Sequence, residues 1–484
     1  MKQLDKLVQE LCNLPTETPW VEFKHNNYDA DMIGRDISAL ANGAAWKEKS
    51  YAYMVWGIDD ESHHIVGTDY NLQTMKKGDQ ELENWLRSLL SDNAVFEFHS
   101  AMCEGKSVGI LIINRAMYRP VTFKKVDYIR VGSYTKKLDD YPSIQGTVWD
   151  KIRNQKFEDQ YAQTDLNEEE IVQALNYITY FDLLENKLPL PNNVSNIIYY
   201  LSQANLIVKQ DNGLYGITNL GALLLAKKLS YFKKLKRKML RVVQYNGSNK
   251  MDLLRDETFD KGYAAIFEDA IQFIEALTPM KEVITNGIRK RKTAYPTAAI
   301  REILANSLIH QDFSISGTGP LVEIFDNRIE ITNPGAPLIN IMRIIDTPPK
   351  SRNEKLASLM RELGICEEVG SGWDKVILSC ELMQLPAPRI EIFEDATRVT
   401  IFSEIKFSDL TLEDRLWACY LHACIKYVQG EQISNHTLRE RFGLKQTGSG
   451  SISRLIKEAV KQNYIKPVDP DTAPRYMKYI PSWA

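Results

Sequence analysis

The chain contains no run of 18 apolar residues, and a membrane-spanning helix needs about 20. Its first residues, Met1-Lys-Gln-Leu-Asp-Lys, lack the apolar stretch of a secretory signal. A cytoplasmic protein with no membrane partner is therefore expected. Cysteine is scarce: six residues, at 12, 103, 366, 380, 419 and 424, form no Cys-x-x-Cys pair and have no histidine at zinc-binding spacing. That excludes a zinc ribbon or a disulfide framework and leaves reduced, structural thiols. An excess of one charge is also missing, because the formal net charge is only −3. The chain as a whole is no general polyanion binder, and any nucleic-acid contact must come from local charge. The composition is that of an ordinary globular protein, with 44% hydrophobic and 25% charged residues. At 484 residues the chain is too long for one core, and about three or four domains are expected.

The first informative stretch runs from Glu17 to Asp60. Glu22-Phe-Lys24 alternates as a short strand does, and Tyr51-Ala-Tyr-Met-Val-Trp-Gly-Ile58 reads as a second, buried strand. Between them Ile33, Ile37, Leu40 and Ala44 have helical spacing, with Asn42-Gly43 as a break. Strand, helix, strand would bring Glu22 close to Asp59 or Asp60, with Glu17 leaning over the same spot. Three carboxylates with a lysine, Lys24, are what a divalent-metal phosphodiesterase needs. The acids supply oxygen ligands for Mg²⁺ or Mn²⁺, which activates a water and neutralises the developing phosphorane charge. The bland alternative is a set of solvated carboxylates at strand ends.

From Arg115 to Lys137 seven bases face one acid, Asp127, and Phe123, Tyr128 and Tyr134 are interleaved with them. Arg119, Lys124, Lys125, Arg130, Lys136 and Lys137 with Tyr128 suit a nucleic-acid track, where cations hold phosphates and rings stack on bases. Further on, helices over Asn167–Leu184 and Asn193–Ala204 precede a hairpin with an Asn-Gly turn at 212–213, the outline of a winged helix. Lys227 to Arg241 holds eight bases and no acid. At the C-terminal end, Ser434 caps a helix from Asn435, a second helix covers Ser451–Gln462, and two short strands make a wing. Lys445, Arg454, Lys457 and Lys461 give that module a basic edge.

Glu302, Asn306 and His310 recur every four residues and line up on one face of a helix. A carboxylate and an amide so placed can polarise a water and hold hydrated Mg²⁺, as ATP hydrolysis requires.

Residues 1 to about 140 resemble the Schlafen AlbA_2 domain, through Glu22-Phe-Lys24, the helix at Ile33–Gly43, Trp56-Gly-Ile-Asp59, Ile65-Val-Gly67 and Tyr128-Ile-Arg130-Val-Gly-Ser133. Nucleolytic Schlafens cut tRNA and rRNA with two glutamates five residues apart and a later aspartate. Glu17 and Glu22 match that spacing, and Asp59 or Asp60 supplies the third acid, Asp59 first. The region 200–405 resembles a GHKL ATPase fold of the kind attached to AlbA_2 domains. The resemblance lies in Glu302-x3-Asn306-x3-His310, Gly317-Thr-Gly319, Asn333-Pro-Gly335, Ser351-Arg352-Asn353 and Glu368-Val-Gly370-Ser-Gly372. It implies Glu302 as water activator, Asn306 as Mg²⁺ ligand, and His310, Gly335, Arg352, Asn353, Gly370 and Gly372 around ATP. The family's Asp-x-Gly-x-Gly box is represented by Asn333-Pro-Gly335, without its acid. ATP is expected to be sensed and held rather than turned over quickly.

The expected fold is α+β and multidomain: a Schlafen AlbA_2-like α/β domain over 1–150, a winged-helix connector over 151–225, a GHKL-like α/β sandwich over 226–405 and a winged helix over 406–484. The implied function is an ATP-regulated, metal-dependent nuclease. Glu17, Glu22 and Asp59 hold the metal, Lys24 meets the scissile phosphate, and RNA, tRNA above all, is preferred over DNA. A role in bacterial antiviral defence and a homodimer or larger assembly go with it. The alternative is a non-catalytic, ATP-binding transcriptional regulator that grips DNA.

Overall fold

The computed structural model describes residues 4–14, 18–60, 62–69, 74–153, 156–184, 193–210, 212–285, 288–348, 350–366, 372–473 and 475–484. Two compact units emerge. The first is Met1–Lys156 with the short segments Thr164–Asn167 and Val208–Gly216; the second holds the remainder. Helices and sheets are mixed in both, as expected of an α+β chain. Among the described residues no helix is long and apolar enough to cross a membrane.

The first unit is built on four strands and one central helix. Strands β1 (Val21–Lys24), β2 (Tyr51–Trp56), β3 (Phe96–Cys103) and β4 (Lys106–Asn114) form a sheet in the order β1-β2-β4-β3. Only β1 and β2 run parallel, with Glu22 opposite Met54 and Lys24 opposite Trp56. Five of the six β2 residues are buried, because both faces of this strand are covered. After α1 (Leu4–Cys12), helix α2 (Ala30–Trp46) makes the crossover. Asp29 caps it by accepting from the Met32 N–H at 2.7 Å. The break expected at Asn42-Gly43 does not occur, since α2 continues through both residues. Gly43 lies against the Pro19 carbonyl, where a Cβ would collide with backbone. The glycine permits a close approach there and does not end the helix.

A second small sheet, β5 (Thr122–Phe123), β6 (Val126–Val131) and β7 (Tyr134–Lys137), packs on the other side of α2. Two buried polar side chains of α2 hold it. The Asn42 amide donates to Val121 O at 3.0 Å and Tyr128 O at 2.9 Å and accepts from Val121 N at 2.8 Å. Ser38 donates to Val121 O at 2.6 Å and accepts from Tyr128 N at 3.0 Å. With most of its surface covered, α2 is buried nearly all round.

The second unit centres on a six-stranded sheet of β8 (Leu240–Tyr245), β9 (Leu253–Phe259), β10 (Leu321–Ile324), β11 (Arg328–Pro334), β12 (Arg389–Ile392) and β13 (Ala396–Phe402). Its order is β9-β8-β10-β11-β13-β12, with β8 and β10 parallel and the other pairs antiparallel. Helices α3 (Tyr263–Leu277), α4 (Thr297–Ile309), α5 (Glu354–Glu362) and α6 (Gly372–Leu382) belong with it, and α4 packs on β11, α3 and α6. The C-terminal helices α7 (Leu412–Val428), α8 (Asn435–Arg441) and α9 (Ser449–Lys461) are followed by short paired strands at Ile465–Pro467 and Tyr479–Pro481. Ser434 caps α8 as expected.

Replacing Asn42 by alanine orphans backbone groups that water cannot reach. Unfolding measured by denaturant should show a loss of about 2–4 kcal/mol, against under about 1 kcal/mol if the amide only fills space.

Candidate nucleic-acid and nucleotide sites

In the first unit, β1 carries Glu22 inward, with its side chain 4% exposed. A carboxylate so buried needs partners, and it has two. Lys24 Nζ, two residues along the same strand, pairs with Oε1, and Arg130 Nη1, from β6, pairs with Oε2. Arg130 is 1% exposed and Lys24 17%. Arg130, expected among the surface nucleic-acid contacts, is thus an interior residue, drawn in by the buried carboxylate. Lys24 keeps an edge toward solvent.

The same cluster contains an acid that the sequence reading missed. Asp36 of α2 is buried and accepts from Thr135 Oγ1 at 2.6 Å. Burial pushes its carboxyl above the ordinary range, opposed by the Thr135 hydrogen bond and by the charges of Lys24 and Arg130. The signal was present, because Asp36 sits in the apolar stripe of Ile33, Ile37 and Leu40, where helical spacing leaves no room for a solvated charge.

The other expected acids lie elsewhere. Asp59 follows β2 and organises a turn, accepting from Ser62 N at 2.9 Å and Ser62 Oγ at 2.6 Å. Asp60 is exposed beside it. Because Glu22 stands opposite Met54, both aspartates fall beyond the C-terminal end of β1. Glu17 and, in the other unit, Gly370 lie outside the described residues. Among the described residues no group of three or more His, Cys, Asp or Glu side chains is gathered to hold a metal ion. The donor set at Glu22 agrees with this, since each of its oxygens already faces a cation. The described cluster does not fit a divalent ion.

The basic residues of this unit are mostly on the surface. Lys136 and Lys137 are exposed on β7, and Lys136 lies 5.4 Å from the Tyr134 ring centre. Lys124 and Lys125 form the two-residue turn between β5 and β6 at φ 51° and 65°. Glycine or asparagine is the usual choice for such a left-handed turn. Lys124 pairs with Asp31 of α2, whose carboxyl it holds below its ordinary range. Arg119 is paired with Asp92, and Tyr128 is half-buried, its backbone clamped by Asn42 and Ser38.

In the second unit a cavity of about 220 Å³ opens between α4, β11, the start of α6 and the 335–351 loop. Glu302 and Asn306 line it from α4 and His310 from the C-cap of that helix, and Gly335 and Gly372 complete it. Asn306 Nδ2 donates to Glu302 Oε1 at 3.0 Å, which leaves the amide oxygen as an acceptor. Burial raises the Glu302 carboxyl, opposed by the Asn306 hydrogen bond and by Lys375. Burial, aided by the Arg352 charge, lowers His310, so its ring is neutral at pH 7. Gly372 sits on the Glu302 carboxylate, where a Cβ would collide with it. Gly335, at φ 105°, is pressed against Asp312.

Arg352 and Asn353 do not line the cavity. Arg352 bridges Asp312 Oδ2 and Ala336 O, both at 2.9 Å, and the buried Asn353 amide donates to Ile309 O at 2.7 Å and Gln311 O at 2.8 Å. They brace the loop and the end of α4. An amide oxygen beside a carboxylate on the cavity wall fits Mg²⁺ held partly by a nucleotide's phosphates, the usual way that ion binds. The walls also include Ile303, Ile331, Ile339 and Val399, apolar enough for a nucleobase.

Comparison with known proteins agrees with this division. Residues 17–139 match the family described as "Schlafen, AlbA_2". Residues 317–401 match the HATPase_c_4 family, described as "Putative ATP-dependent DNA helicase recG C-terminal". The chain therefore joins a Schlafen AlbA_2 domain to an ATPase-like domain of that type. Glu302, Asn306 and His310 precede the second matched segment, and the fold brings them onto its cavity. No curated protein matches the sequence. Among solved structures, the DIP2311 protein from Corynebacterium diphtheriae is matched over 95% of this chain and 94% of that chain, at 15% identity and a TM-score of 0.41.

Because Asp36 has a raised carboxyl, its charged form opposes folding above that raised value, and the penalty vanishes as pH falls. Asp36→Asn should melt higher than the wild type at pH 7.5, with the gap closing toward pH 4. A lower melting temperature at pH 7.5 would mean that attraction to Lys24 and Arg130 outweighs burial.

Proposed function

We propose that this chain is an ATP-regulated nuclease acting on structured RNA, tRNA above all, with the reaction centre at Glu22 and Lys24. The observation that carries the reading is the buried Glu22–Lys24–Arg130 cluster inside a Schlafen AlbA_2 domain. Glu22 is held by Arg130 from behind, and Lys24 is the member with solvent access, able to meet a phosphate of the substrate. Lys125, Lys136 and Lys137, with Tyr134 exposed among them, supply the phosphate and base contacts that lead a strand to it. Glu17 and Asp59 or Asp60 stay in this proposal as further acids, with the aspartates standing beyond the C-terminal end of β1 and not at the Glu22 cluster. The Mg²⁺ or Mn²⁺ expected of such a nuclease has no place at the Glu22 cluster, whose two oxygens already face Lys24 and Arg130.

The second unit supplies regulation. ATP occupies the cavity, with Asn306 and Glu302 toward Mg²⁺ and phosphates and the isoleucine walls toward the base. His310, neutral, fills the end of the same helix face. We take 151–225, whose segments are divided between the two units, as a winged-helix connector, 226–405 as a GHKL-like sandwich and 406–484 as a second winged helix, whose Lys445, Arg454, Lys457 and Lys461 are exposed. A defence role, with the nuclease restrained until triggered, fits a toxic activity under nucleotide control. The second reading, a DNA-binding regulator without cleavage, draws support from that basic C-terminal edge.

Two outcomes test the proposal. Glu22→Gln, which keeps the shape and leaves Arg130 a hydrogen-bond acceptor, should lose at least about 100-fold in cleavage of total tRNA with Mn²⁺ or Mg²⁺, while retaining RNA in a filter-binding assay. Cleavage that persists in Glu22→Gln would move the reaction centre elsewhere; an absence of cleavage in the wild type, with ATP-dependent retention of duplex DNA, would favour the regulator. Asn306→Ala should abolish Mg²⁺-ATP binding measured by calorimetry, and retained tight binding would remove ATP from this cavity.

A further inference from the structure

We propose that the outer edge of β9 is a docking surface for a second copy of this chain, which pairs antiparallel through its own β9 about a two-fold axis at Asp256. This gives the expected self-association a surface and does not rest on the nuclease reading.

Among the described residues β9 pairs with β8 alone, so one side of its backbone is an open template for another strand. Every residue from Leu253 to Thr258 is exposed. The approach to the strand is apolar: Met251, Leu253 and Leu254 are 89%, 53% and 53% exposed.

The charges select the partner and the register. Arg255 and Glu257 stand opposite Gln244 and Val242 of β8, and therefore project from one face of the sheet. Neither makes an ion pair within the described residues. Asp256 projects from the other face, where Arg241 holds it through two hydrogen bonds of 2.7 and 2.5 Å. In an antiparallel homodimer the outward-facing residues must meet each other, so the two-fold falls on a residue. Centred on Arg255 or on Glu257, the pairing sets like charges face to face. Centred on Asp256, it sets Arg255 against Glu257 of the second copy, twice, within the regular part of the strand that follows the bulge at Leu254. The two central aspartates meet already neutralised by their own Arg241. Opposite charges directly across a strand pair stabilise it, and like charges oppose it. Of the registers centred on the three charged residues, the one at Asp256 is self-complementary, and a second copy is the occupant that it fits.

The test is a charge-reversal set in the full chain, read by light scattering or sedimentation for mass, with circular dichroism melting to show that the variants fold. The wild type should be dimeric. Arg255→Glu and Glu257→Arg, each alone, should raise the dimer dissociation constant at least about tenfold, because each creates two like-charge contacts. Mixing these two single variants should restore the dimer, since both cross-strand pairs are then opposite in sign. Combining both reversals in one chain should restore it as well. A wild type that is monomeric at tens of micromolar, a dimer insensitive to either reversal, or a mixture that stays monomeric would overturn the proposal.

Discussion

Glu22 is a carboxylate that has been taken out of water, and the first unit is arranged around the need to pair it. Losing one partner of a buried ion pair costs about 3–5 kcal/mol, so Arg130 and Lys24 are fixed as firmly as any core residue. Arg130 reaches Glu22 from β6, and β6 is held in place by Asn42 and Ser38 of α2. The polar stripe of one helix thus sets the position of the cation, and the cation sets the carboxylate. Asp36, on the same helix two residues before Ser38, adds a second acid to the same pocket of charge. The outcome is a site whose charges are nearly balanced in the interior and whose one solvent-facing member is a lysine.

The second unit places the residues of its cavity by close approach. Glu302 has Gly372 against its carboxylate, and Gly372 begins α6. The far end of that helix carries Glu381, which pairs with His422 of α7 at 2.9 Å and with Arg441 of α8 at 3.0 Å. The loop that walls the cavity is tied to the same C-terminal helices: Ile344 and Ile345 share a core with Tyr420, Leu421 and Cys424, and the Tyr420 hydroxyl donates to Met342 O. A change at the Glu302 end therefore has a rigid path of one helix, about 16 Å long at 1.5 Å per residue, to the basic C-terminal module.

Local chemistry was legible in the sequence wherever one element determined it. The alternation at Glu22-Phe-Lys24, the apolar run of β2, the stripe Glu302, Asn306 and His310, and the cap at Ser434 all appear where periodicity and capping residues place them. What failed was decided by contacts between distant segments. Gly43 reads as a breaker, yet it lies inside a helix because Pro19 crosses it. Arg130 reads as one more cation in a basic strand, and only the pairing of β6 against Glu22 buries it. Arg352 and Asn353 lie next to the cavity in sequence pattern, but their hydrogen bonds turn them to bracing its walls. Asp36 was the readable exception, since an acid on an apolar stripe announces a buried partner.

If ATP governs cleavage of RNA, the single-turnover rate of cutting end-labelled tRNA should change along a saturating curve as ATP is titrated, with a midpoint equal to the dissociation constant for Mg²⁺-ATP measured on the same protein. A rate indifferent to ATP across that range, or no cutting at any concentration, would contradict it.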